Sequence, residues 1–99
     1  MNMEHIEITQ ETYEKLAHAL AERCYQRDYL GGSITTQQGT NVYVTLSFTV
    51  IIYHDKHDGS ITNIAPVWWD CTTELGGEFE GESVTNDFSF TELLNELFE

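Results

Sequence analysis

Positive charge is what this chain lacks most. Its 99 residues hold 17 acids against Lys15, Arg23, Arg27 and Lys56, a formal net charge of −13. The shortage is uneven: residues 57–99 carry 10 acids and no base. Direct binding of DNA or RNA is therefore excluded, because affinity for phosphates comes from counterions that Lys and Arg release. Anionic membrane surfaces are excluded on the same ground. Long apolar runs are also missing, since no stretch approaches the roughly 18 residues of a membrane span. The start, "MNMEHIEITQ", has neither the basic nor the apolar region of a signal peptide. With two cysteines, Cys24 and Cys71, far apart and outside any CxxC, the expectation is reduced thiols in a cytoplasmic protein.

Catalytic signatures are scarce as well. There is no GxSxG, no P-loop, and no glycine-rich turn between a strand and a helix. "GGEFEGE" is rich in glycine but acidic, so it repels phosphate. Cys71 lies beside Asp70, whose carboxylate disfavours the thiolate a nucleophile needs. Four of five residues in "HDKHD" are metal-ligand types, and His54, His57 and Asp58 are the candidate ligands. Against a site stand the Asp-Gly pair, which turn geometry already explains, and the lack of a second ligand cluster. No metal and no cofactor is expected, and clustered acids in a glycine-containing loop read as a solvated face.

What the chain does have is core material. Hydrophobic content of 40 %, with 12 % aromatic, rules out a disordered acidic chain. One domain over residues 1–99 can bury roughly 60–70 % of its unfolded surface. Two helices are marked by their starts. Thr9 caps the first, Ile8 staples onto Tyr13, and Tyr13, Leu16, Ala17, Leu20 and Cys24 recur at helical spacing until Gly31-Gly32 stops it. Ser89 and Glu92 form a capping box for the second, with Phe88 stapled onto Leu93.

Between the helices lies a sheet. "NVYVTLSFTVIIYH" alternates, with Val44, Leu46, Phe48, Val50 and Ile52 on one side and Tyr43, Thr45, Ser47, Thr49, Ile51 and Tyr53 on the other. Asp58-Gly59 signals a hairpin into a returning strand from about 60 to 73, and "SITTQ" makes a shorter first strand. Pro66 in the returning strand belongs at an edge or a bulge. The expected architecture is α+β, ordered α-β-β-β-α: a three-stranded antiparallel sheet with both helices on one face, and room for a fourth strand near Phe79.

Pairing His54 with Ser60 puts Ile64 and Trp68 in the core and Tyr43, Ile51, Tyr53, Ile61, Val67 and Trp69 on the opposite face. A one-residue slip exchanges the two tryptophans, but either register sends one of them out of the main core. Aromatic and aliphatic side chains on an uncovered face mark an interaction surface. The sequence therefore reads as a non-enzymatic acidic protein-interaction module, self-associating as a homodimer or binding a basic protein. Its expected contact residues are Trp69, Tyr43, Tyr53, Ile51 and Ile61, with Glu78, Glu80 and Glu82 steering the encounter. Two alternatives belong to other classes: a nucleic-acid mimic that inhibits a DNA-binding protein, and a small metal- or thiol-dependent enzyme.

Overall fold

The computed structural model describes residues 5–76 and 82–98. Its elements run β1 (His5–Ile6), α1 (Gln10–Cys24), β2 (Tyr29–Gln38), β3 (Val42–His54), β4 (Ile61–Leu75), β5 (Glu82–Asn86) and α2 (Phe90–Phe98). The sheet has five strands in the order β1-β5-β4-β3-β2. It is mixed, because β1 runs parallel to β5 while the other neighbours are antiparallel. The fold is α+β, with two more strands than the three expected. The suggested strand near Phe79 lies outside the described residues.

Both helices begin where their capping residues stand. Thr9 accepts from the Thr12 amide at 3.2 Å, and Ser89 from the Glu92 amide at 3.4 Å. The first helix ends earlier than its sequence suggested. It stops at Cys24, and Gln26 takes the left-handed conformation (φ 59°) that turns the chain toward β2. Gly31-Gly32 is thus part of a strand and not a helix stop.

β3 is the centre of the molecule, pairing with β2 along one side and β4 along the other. Its inward row, Val44, Leu46, Phe48, Val50 and Ile52, is buried against Leu16, Leu20 and Cys24 of α1 and Leu93 of α2. One face of the sheet thus carries both helices.

β4 does not keep one register against β3. The pairing shifts between Tyr53 and His54, leaving Thr62 unpaired, and again between Thr49 and Val50, leaving Val67 unpaired. Each β-bulge inserts one residue and so exchanges the faces of everything beyond it. Ile64, between the two bulges, is in the core as expected. Ile61 and Trp69, beyond them on either side, are on the helix-covered face, and Trp68 is on the bare one. The expected placements of Ile61, Trp68 and Trp69 are thereby corrected. Pro66 sits beside the second bulge and was the residue in the sequence that signalled it.

Candidate protein interface

The sheet face opposite the helices is ordered by the strand register into rows that cross three strands. Ala65, Ile51 and Tyr29 make one row; Trp68, Thr49 and Gly31 make the next. Asp70, Ser47 and Ser33 follow, and the last row holds Glu74, Tyr43 and Gln37. Trp68 is 55 % exposed and Tyr29 62 %, so these rings stand in solvent and not in a fold of the chain. Tyr53, Ile51 and Tyr43 are exposed beside them, as the alternation of β3 requires. Gly76 lies against the edge of the Tyr43 ring, where an added Cβ would come within 2.7 Å of Cε2. Tyr29 and Trp68 are the members that sequence reasoning missed. For Tyr29 the signal was the full length of β2, and for Trp68 it was Pro66.

Trp69 has a different environment. Its ring meets Phe88 edge-on at 5.3 Å and Phe90 at 6.0 Å, while Phe88 stacks on Tyr13 at 5.6 Å. Tyr13, Phe88 and Phe90 are buried at the end of the core where α2 starts, and Trp69, still 39 % exposed, lies over them at the surface. The Tyr13 hydroxyl accepts from the Ser89 amide at 3.0 Å, and burial raises its pKa above the usual phenol value. Ile61 likewise packs against the core cluster. Glu82 is exposed on β5, paired with Leu75 of β4. Glu78 and Glu80 lie outside the described residues.

Of the candidate metal ligands, Asp58 and His54 have hydrogen-bond partners through their side chains, and His57 through its amide. The Asp55 carboxylate accepts from the His57 amide at 2.7 Å, and the Asp58 carboxylate from the Ser60 amide at 2.8 Å. Gly59, at φ 77°, supplies the left-handed residue the turn needs. These are Asx-type bonds that shape a hairpin. Among the described residues no group of three His, Cys, Asp or Glu side chains is placed to hold a metal ion. His54 turns back toward the chain, its ring nitrogens 3.1 Å from the Gly59 carbonyl and 2.5 Å from that of Arg27. The Arg27 carbonyl is the main reason its pKa lies above the ordinary 6.5, with Gly59 and the Asp28 carboxylate adding to it.

The thiols are held protonated. Both cysteines are free; burial raises the pKa of Cys24, and burial followed by the Asp70 charge pushes Cys71 up to about 12. Cys71 lines a groove of about 380 Å³ where β5 diverges from β4. Two polar side chains there bond the backbone: Asn86 donates to the Cys71 carbonyl at 3.0 Å and Thr73 to the Val84 carbonyl at 2.7 Å. Such an arrangement pins two diverging strands.

Among the described residues no helix is long and apolar enough to cross a membrane. No family model matches the chain, and neither a curated protein nor a solved structure matches it.

Proposed function

We propose that the chain is a non-enzymatic protein-interaction module that docks another protein on the bare face of its sheet. The observation that carries this reading is Trp68, more than half exposed on β4 beside the central strand, with Ile51 and Tyr29 exposed in the neighbouring row. Rings of this kind, rigid and amphipathic, contribute most of the free energy at protein contacts. An apolar patch of several hundred square ångströms is the size that marks such contacts on a soluble surface. The strands that form the face carry only two formal charges on it, Asp70 and Glu74. That spacing supports an apolar docking face over a row of carboxylates imitating phosphates. The other acids of the chain set the long-range field that orients an approaching partner.

The test is retention by immobilised protein. Wild type and Trp68→Ala are each offered a cell lysate and, separately, purified untagged chain. The reading requires a protein, heterologous or the untagged copy, that wild type holds in stoichiometric amount and Trp68→Ala releases while keeping its circular dichroism. Equal retention by both, or retention by neither, overturns it.

A further inference from the structure

The geometry points to a second copy of this chain as the occupant of the bare sheet face, packed across a two-fold axis that runs along β3 between the two sheets. This rests on the interface reading above and adds the partner and the fit.

Charge is the first argument. Residues 29–54, the whole of β2 and β3 with their turn, contain no Asp, Glu, Lys or Arg in a chain of net charge −13. A basic partner would gain little from a face so poor in carboxylates. A second copy, repelled by nearly every other surface, meets few like charges here. Area is the second. Thirteen residues of β3 extend about 43 Å at 3.3 Å each. Three strands span about 14 Å, so the face covers about 600 Å² per copy and about 1,200 Å² for the pair, the lower end of the range for specific interfaces.

Fit is the third argument, and it selects the axis. A two-fold along the strands keeps each row level with itself and reverses it, so that β4 of one copy lies over β2 of the other. Trp68 then faces the partner copy's Gly31, an outer position with no side chain. Tyr29 faces Ala65 in the neighbouring row. Trp68 and Tyr29 are each opposed by a small residue, while Ile51, Tyr43 and Tyr53, all on β3, meet their own counterparts on the axis. The two carboxylates follow the same rule: Asp70 faces Ser33 and Glu74 faces Gln37, so each acid meets a neutral hydrogen-bond donor and never another acid. An axis across the strands would instead bring the apolar rows onto the rows that hold the acids. Aligned sheets pack with a rotation of about 30°, so these pairs hold near the point where the two β3 strands cross and separate toward the strand ends.

Gly31 makes the inference testable apart from the interface reading itself. A Cβ added there meets nothing in its own chain closer than 3.6 Å (the Thr49 hydroxyl), so the monomer accepts a side chain. A valine would occupy the space that the partner's indole needs. Purified protein should dimerise in sedimentation equilibrium, and added salt should strengthen the dimer by screening the repulsion between the two copies. Gly31→Val should weaken the dimer at least tenfold with unchanged circular dichroism, Gly31→Ala less so, and Trp68→Ala at least as much as Gly31→Val. A chain that stays monomeric to the highest soluble concentration overturns the inference, as does a dimer indifferent to Gly31→Val and Gly31→Ala. Retention of a different protein through Trp68 by a monomeric chain would overturn the second copy and leave the interface reading standing.

Discussion

The two faces of β3 come from one strand and teach opposite lessons. The even-numbered side chains, from Val44 to Ile52, are sealed under two helices and define the fold. The odd-numbered ones, from Tyr43 to Tyr53, meet solvent and contribute little to it. Trp68 and Trp69 repeat that contrast in adjacent residues. One ring, 39 % exposed, lies edge-on against the aromatic group at the start of α2; the other, 55 % exposed, stands free on the far side of the sheet.

The largest effect should come from the sealed face. Phe48 is 1 % exposed at the middle of the core, so we expect Phe48→Ala to cost about 3–5 kcal/mol, read from urea denaturation. A cost below about 1 kcal/mol would mean that the two faces of β3 differ less than their burial indicates.

The tryptophan pair gives the sharpest comparison. Trp69→Ala should cost about 2 kcal/mol through lost packing on Phe88 and Phe90. Trp68→Ala, measured in dilute monomer, should stay within about 0.5 kcal/mol, as for other surface substitutions. Iodide should quench the fluorescence of Trp69→Phe, which keeps Trp68, more strongly than that of Trp68→Phe, and assembly should remove the difference. Equal costs and equal quenching would erase the distinction between the faces.

The cap of α2 bears on how the sealed face is held. Ser89→Ala should cost about 1 kcal/mol by stranding helix amides, and because α2 covers only the inner side, the iodide accessibility of Trp68 should not change. An unchanged denaturation midpoint would mean that the Ser89 hydroxyl does not hold the helix end.

The smallest effect should come from His54, at the hairpin end where the helical cover gives out. Its pKa is raised in the folded chain, chiefly by the Arg27 carbonyl, so the protonated ring is the form that folding favours. Its contribution should be present below the ordinary 6.5 and disappear as pH rises through the higher folded value. The Tm difference between wild type and His54→Gln should therefore shrink from pH 5 toward pH 8; a difference that grows would reverse the assignment.

How much of this was legible beforehand follows the range of the interactions involved. Thr9, Ser89 and the alternation of β3 are local signals: a cap acts within four residues and a strand shows its faces every second residue. From these the sequence by itself determined the two helices, the central strand, and the existence of one face without helical cover. Tertiary structure alone decided which side chains stand there. A hairpin register is a relation between two strands, and two single-residue bulges in β4 were enough to move Ile61 and Trp69 inward and Trp68 outward. The parallel pairing of β1 with β5 joins residues 80 positions apart, with two residues on the β1 side, too short for any periodicity to show. The row that sets Trp68 beside Thr49 and Gly31 exists only once three strands are hydrogen-bonded side by side.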